Sequence, residues 1–159
     1  MLELYAETTF NRTLGHVMEL LTNLDEIYTL YCPEEHIVCK YLKGEALEKG
    51  SILYFEEYIG GKKHKMKYAV VKSNDETVVL KARFPKSMFN IKVVFTLCEV
   101  SDKVHFSRKI QIGTKAPVIG SILDKLIIFL LGKKYYFAMI EHNQDDINKL
   151  KNYVDEFAR

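Results

Sequence analysis

Two adjacent glycines separate two runs of strand-forming residues in the stretch Tyr54-Phe55-Glu56-Glu57-Tyr58-Ile59-Gly60-Gly61-Lys62-Lys63-His64-Lys65-Met66-Lys67-Tyr68. The tightest hairpin turns need two consecutive residues with positive φ, which glycine adopts at little steric cost. The pattern therefore predicts a β-hairpin with Gly60 and Gly61 as its turn. The turn also sets the register, because each residue before it faces the residue equally far after it.

The register of this hairpin separates its side chains into two faces. One face carries apolar and aromatic side chains around a carboxylate and an imidazole, namely Leu53, Phe55, Glu57, His64, Met66 and Tyr68. The other face pairs tyrosines and a glutamate with lysines, which is typical of a face in contact with water. We therefore predict that the first face points into the protein and that Glu57 lies opposite His64 near the turn.

A second hairpin is predicted from the runs 88–100 and 104–112, with its turn at 101–103. Alternation places Phe95 and Phe106 on the inner face, and Arg108 shares that face. An unpaired charge is costly in an apolar interior, so Arg108 needs a carboxylate, a ligand or water. Two interpretations stay open: a forked hydrogen bond to a ligand carboxylate or enolate, or an internal salt bridge, for which Glu57 is a candidate.

The C-terminal part of the chain predicts one long amphipathic helix. Its apolar stripe recurs at alternating spacings of four and three and is interrupted only by Asn143: Tyr136, Ile140, Asn143, Ile147, Leu150, Val154 and Phe157. The predicted sheet needs one covered face, and this stripe is long enough to cover it. Before the sheet, residues 2–6 alternate as a first strand, and two short helices follow, the second ended by Pro33. The predicted fold class is therefore α+β.

Length and composition predict a single globular domain, 1–159. The net charge of +2 and the dispersed lysines do not point to nucleic acid. No nucleotide-binding or zinc-protease motif is present, so no cofactor is expected. Three cysteines without C-x-x-C spacing are typical of reduced thiols in a cytoplasmic protein.

One segment, Val118–Leu131, is strongly apolar but falls short of the ~20 residues of a membrane-spanning helix. Three interpretations stay open for it. It can form a lid or wall of an internal cavity, attach the protein to a membrane surface, or contact a partner protein or a second copy of the chain. Both a monomer and a homodimer are compatible with the sequence.

Together with His36 and the helical tail, the stretch 54–68 resembles stand-alone prokaryotic members of the START-like (SRPBCC) superfamily. That group includes polyketide cyclase/dehydrase-like proteins, Bet v 1-like plant allergens and lipid-transfer START domains. The resemblance implies a helix-grip fold, in which a seven-stranded curved antiparallel sheet wraps around the C-terminal helix. It also implies a cavity for a small hydrophobic molecule such as a lipid, a polyketide or an isoprenoid. Members of the group include enzymes, carriers and binders, so enzymatic activity stays open.

The inward-facing residues form the predicted ligand-binding site: Phe55, Glu57, His64, Met66, Tyr68, Phe95, Phe106, Arg108, Tyr136, Ile140 and Asn143. Within it, Glu57 and His64 are candidates for a catalytic acid–base pair of the kind that a polyketide cyclase or dehydrase needs. The alternative is a cross-strand pair that only stabilises the hairpin. Asn143 can bind a ligand, or only backbone or water.

A metal site is not predicted. His36 follows Glu34 and Glu35, but no second histidine stands at a ligand spacing from it. We therefore expect His36 to cap a local turn or to lie at the surface.

Overall fold

The structure is a computed structural model that describes residues 2–83, 89–114, 129 and 132–156. The elements follow in the order β1 (Leu2–Phe10), α1 (Leu14–Thr22), α2 (Leu24–Tyr31), β2 (His36–Lys43), β3 (Ile52–Ile59), β4 (Lys62–Asn74), β5 (Thr77–Ala82), β6 (Phe89–Val100), β7 (Lys103–Thr114) and α3 (Lys133–Glu156). This order confirms the predicted α+β class, with two short helices after the first strand and a long C-terminal helix.

The seven strands form one antiparallel sheet in the order β1-β7-β6-β5-β4-β3-β2. The β3–β4 hairpin has the predicted register, with Glu57 opposite His64. Its two turn glycines have φ values of 56° and 76°. The β6–β7 hairpin turns at Ser101 and Asp102, which also have positive φ. Two consecutive residues of positive φ match the twist of the flanking strands, which explains why both hairpins close so tightly.

The core lies between the inner face of the sheet and α3. Leu53 and Phe106 on the sheet and Ile147 on α3 are almost completely buried, whereas Tyr58 on the outer face is exposed. Helices α1 and α2 add further buried leucine, isoleucine and valine side chains to the same cluster. Full burial of such a side chain contributes about 1.5–3 kcal/mol, so this packing is what holds α3 against the strands.

Two further contacts position α3. At its C-terminal end, the backbone N–H of Asn11 donates to Asp155 Oδ1 at 2.9 Å, and Lys151 pairs with the same carboxylate. Burial acts to raise the pKa of Asp155, but Lys151 and Asn11 outweigh it, so the pKa lies below its usual value. Near its N-terminal end, α3 touches the hairpin turn so closely that a Cβ atom at Gly60 would lie 3.0 Å from that of Ala138.

Some sequence predictions fall outside the described residues. The apolar segment 118–131 does so except for Phe129, whose side chain is 80% exposed. Residues 84–88 and Phe157 are also outside. Within the described part of the chain, we find no helix with the length and apolarity needed to cross a bilayer. The three cysteines are free thiols.

Candidate functional site

The sheet and α3 enclose a cavity of about 380 Å³, a size typical of small-molecule sites. Most of its wall is apolar, with side chains from every layer of the fold: Leu4, Leu21, Leu24, Phe55, Ile59, Met66, Leu80, Ile91, Val93, Phe95, Phe106, Ile110, Ile112, Met139, Ile147 and Leu150. Ten polar or amphipathic side chains complete it: Tyr28, Tyr31, Glu57, His64, Tyr68, Arg108, Tyr135, His142, Asn143 and Asp146. Many of them contact one another, and these contacts define the chemistry of the site.

The face of α3 that borders the cavity differs from the predicted one. All the predicted site residues line the cavity except Tyr136 and Ile140, and Ile140 is 36% exposed. Tyr135 and Met139 take their places. Positions 135, 139, 142 and 146 have the same helical spacing as 136, 140, 143 and 147, and α3 turns the boundary between the two stripes inward. The stripe with Tyr136 and Ile140 was predicted because it is the more hydrophobic of the two. The other stripe contains His142 and Asp146, whose partners lie on other elements.

Arg108 is held by α3 through three hydrogen bonds. Its Nε donates to Asn143 Oδ1 at 2.7 Å, its Nη2 donates to the backbone oxygen of Asn143 at 2.8 Å, and its Nη1 binds Asp146. Burial acts to raise the pKa of Asp146, but the guanidinium outweighs it and holds that pKa well below its usual range. Arg108 therefore forms the internal salt bridge, and its partner is Asp146 rather than Glu57. The sequence could not indicate this because Asp146 does not belong to the apolar stripe.

Glu57 lies in a second polar group, which His36 links to Asp146. The Tyr28 hydroxyl donates to Glu57 Oε2 at 2.8 Å, and His142 Nε2 lies 3.5 Å from the same oxygen. Burial acts to raise the pKa of Glu57, but His142 and Tyr28 outweigh it, so the pKa is lowered. Burial acts to lower the pKa of His142, but the Glu57 carboxylate outweighs it and raises that pKa. A shielded carboxylate between a phenol and an imidazole is equipped to move a proton.

His64, the predicted acid–base partner of Glu57, is bound elsewhere. Its backbone lies opposite Glu57 as expected, but its Nε2 is 2.5 Å from the Tyr135 hydroxyl. Burial lowers the pKa of His64. The imidazoles in ion-pair range of Glu57 are instead those of His142, at 3.5 Å, and His36, at 3.9 Å. His142 was not predicted because it lies on the polar stripe of α3.

The expected capping role of His36 is confirmed, because its Nδ1 lies 2.8 Å from the backbone oxygen of Tyr28 in the last turn of α2. His36 is nevertheless buried, with 3% exposure, which contradicts the alternative of a surface position. The reason is a β-bulge in β2. His36 lies opposite Glu57 and Val38 lies opposite Glu56, so Ile37 is an extra residue. Strict alternation from the inward-facing Cys39 would turn His36 outward, and the extra residue turns it inward. Its ring stacks on Tyr28, with centroids 3.7 Å apart.

Three of these side chains could hold a metal ion. Nitrogen atoms of His36 and His142 and an oxygen of Glu57 all lie within 4.8 Å of one another. The three residues come from β2, α3 and β3, so spacing along the chain does not reveal them. Neither does alternation, since His36 points inward only because of the bulge.

Comparison with known proteins finds no matching family model and no matching curated protein. Solved structures do match. The protein TTHA0849 from Thermus thermophilus is 15% identical over 96% of this chain and 97% of its own, with a TM-score of 0.69. Ara h 8.0201 is 11% identical over 96% and 97%, with a TM-score of 0.67. A START superfamily protein from Mycobacterium smegmatis is 16% identical over 89% and 96%, with a TM-score of 0.58. At these identities the likeness establishes the fold.

Proposed function

We propose that this protein, which has the helix-grip fold of the START/SRPBCC superfamily, binds a small and largely apolar molecule between the sheet and α3. The observation that carries the proposal is the cavity of about 380 Å³ with its mostly apolar wall. An apolar ligand that covers this wall stabilises the complex by roughly 25 cal/mol for each Å² of apolar surface removed from water. A lipid, a polyketide or an isoprenoid-like molecule has the chemistry to match.

The polar groups of the cavity indicate that one end of this ligand is polar. Asn143 Nδ2 is buried and has no hydrogen-bond partner in the part of the chain that the structure describes. Leaving such an atom unpaired costs about 1–3 kcal/mol. We propose that a ligand carbonyl or hydroxyl accepts a hydrogen bond from Asn143 Nδ2. The ligand is then amphipathic, with one oxygen-bearing end.

A more specific proposal is that the protein carries out acid–base chemistry on the bound molecule. Glu57 is largely shielded from water and contacts both Tyr28 and His142. A ligand carbon beside a carbonyl could lose a proton to this carboxylate, as the cyclisation and dehydration of a polyketide require. Glu57→Gln would then abolish turnover of a poly-β-ketone substrate without abolishing its binding, whereas unchanged turnover would exclude this role.

Binding is tested by filling the cavity. Val93 lines the cavity, and Val71 on β4 is exposed, so Val93→Trp and Val71→Trp add the same side chain inside and outside. With 1-anilinonaphthalene-8-sulfonate as the probe, Val93→Trp should weaken binding at least about tenfold and Val71→Trp should leave it unchanged. If Val93→Trp does not fold, Ile91→Trp is the second inside variant. No binding to the wild type, or equal binding to all folded variants, would refute the proposal.

A second candidate function is lipid transfer at a membrane surface. Phe129 and Phe137 are 80% and 58% exposed, and the exposed Lys133 and Lys134 lie between them in the chain. Exposed aromatic rings beside lysines suit attachment to an anionic bilayer. In flotation with phosphatidylcholine vesicles, with and without phosphatidylserine, we expect binding that depends on phosphatidylserine. Phe137→Ser should weaken this binding. Binding that is absent from both vesicle types would exclude this function.

A further inference from the structure

We propose that His36, Glu57 and His142 bind a divalent transition-metal ion of the zinc type, with an open coordination position towards the cavity. Glu57 and His142 line the cavity, and His36 lies directly behind them. This proposal does not depend on the identity of the apolar ligand, because it rests on the spacing of three side chains of this chain, although it shares Glu57 and His142 with the proposed acid–base chemistry.

The spacing of the three side chains fits a metal ion. His142 Nε2 lies 3.5 Å from Glu57 Oε2, and His36 Nε2 lies 3.9 Å from the same oxygen. A tetrahedral zinc ion with bonds of about 2.0–2.2 Å holds its ligand atoms roughly 3.4 Å apart. Both distances are therefore within about half an ångström of the bound value. The ligand nitrogens of the two imidazoles lie within 4.8 Å of each other and must approach to complete the site.

Both imidazoles are oriented as metal ligands usually are. His36 Nδ1 lies 2.8 Å from the backbone oxygen of Tyr28. A carbonyl can only accept, so this nitrogen carries the proton and Nε2 can offer its lone pair. His142 Nδ1 lies 3.2 Å from the carboxylate of Glu35, which directs its Nε2 towards Glu57 in the same way. Such outer partners set the tautomer and the direction of metal-binding histidines.

An unsatisfied atom points to the same place. His36 Nε2 is buried and has no partner in hydrogen-bond geometry within the described residues. It lies 3.0 Å from Asp146 Oδ1, but that oxygen also lacks a hydrogen-bond partner there. If His36 served only as the ion-pair partner of Asp146, an aligned N–H···O contact would be expected. A metal ion would satisfy the nitrogen.

The charges of the site also favour a cation. Arg108 is paired with Asp146, and Lys149 lies 3.6 Å from Glu35. Of these three carboxylates, Glu57 is the one that has neither an arginine nor a lysine among its described contacts, so its negative charge is available to a cation. Two imidazoles and one carboxylate suit Zn²⁺, Co²⁺ or Fe²⁺, whereas Mg²⁺ and Ca²⁺ prefer oxygen ligands.

The test uses the whole chain after treatment with a chelator. Zn²⁺ is titrated by calorimetry, and Co²⁺ is titrated by its visible absorption, which reports nitrogen ligands and geometry. We expect one ion per chain, with binding at least about tenfold weaker in His36→Asn and in His142→Gln. His64→Gln is the matched control, because His64 lines the same cavity but its Nε2 contacts Tyr135.

Two results would overturn the proposal. One is a wild-type protein that binds neither ion in either titration, a result that does not depend on the folding of any variant. The other is weakening by His64→Gln as large as that by His142→Gln, which would mean that the ion binds elsewhere. Where a histidine variant does not fold, Glu57→Gln keeps the shape of the side chain and must still weaken binding.

Discussion

Replacing Arg108 by methionine would leave the Asp146 carboxylate in the interior without the guanidinium that neutralises it. The side chain of Asp146 is 4% exposed and that of Arg108 is 15% exposed, so water cannot take over this role without opening the contact between α3 and β7. The same substitution removes the two hydrogen bonds from Arg108 to Asn143. Methionine retains much of the length and apolar volume of the arginine stem, so cavity formation contributes little.

The size of the effect follows from the burial of the pair. Removing one partner of a buried ion pair costs about 3–5 kcal/mol. We expect the lower half of that range, because a buried carboxylate that has lost its cation can take up a proton instead of staying charged. In a domain of this size, 1 kcal/mol lowers the Tm by about 2–4 °C, so Arg108→Met should lower it by roughly 6–16 °C.

Urea unfolding followed by circular dichroism measures this free energy. The control is the double variant Arg108→Met with Asp146→Leu, which removes both charges and fills the space with an apolar side chain. Replacing a buried pair in this way is often neutral, so the double variant should be more stable than Arg108→Met alone. A loss below about 1 kcal/mol in Arg108→Met, or a double variant no more stable than the single one, would refute the reasoning.

Three further predictions concern stability. Gly60→Ala and Gly61→Ala both place an alanine at positive φ, which costs about 1–2 kcal/mol of stability. Gly60→Ala also pushes a methyl group against α3, so this variant should have the lower Tm. Equal Tm values would contradict the close packing of the turn. The pKa of Asp155 is lowered in the folded state, so its stabilisation is present above about pH 4 and is lost as the pH falls through the folded pKa. Asp155→Asn should therefore cost more stability at pH 7 than at pH 3, and a loss independent of pH would argue against its ion pair. Tyr28→Phe removes a hydrogen bond to Glu57 and should cost about 1.5–3 kcal/mol in urea unfolding, whereas no loss would mean that this bond is not formed in solution.

The strands and their faces were predictable because the relevant information is local. Alternation has a period of two, and the two turn glycines determine which residues of β3 and β4 face each other. The same logic placed Arg108 on the inner face of β7. The long helix was predictable because a stripe of period 3.6 does not depend on its neighbours.

The polar centre of the cavity was not predictable in this way. Alternation predicts His36 on the wrong face, because one extra residue in β2 reverses the direction of its side chain. Hydrophobicity overlooks His142 and Asp146, because each is polar and becomes buried only where another element supplies a partner.

By itself, the sequence of this protein determined the class of fold, the order of its elements, the hairpin register and the apolar character of the inner face. The tertiary structure alone decided the rotation of α3 and the identity of the charged partners, Asp146 for Arg108 and His142 for Glu57. The physical reason is that periodicity and turn chemistry act between neighbouring residues. The pairing of buried charges depends on how distant elements pack, because each charge is tolerated only where another one lies within a few ångströms.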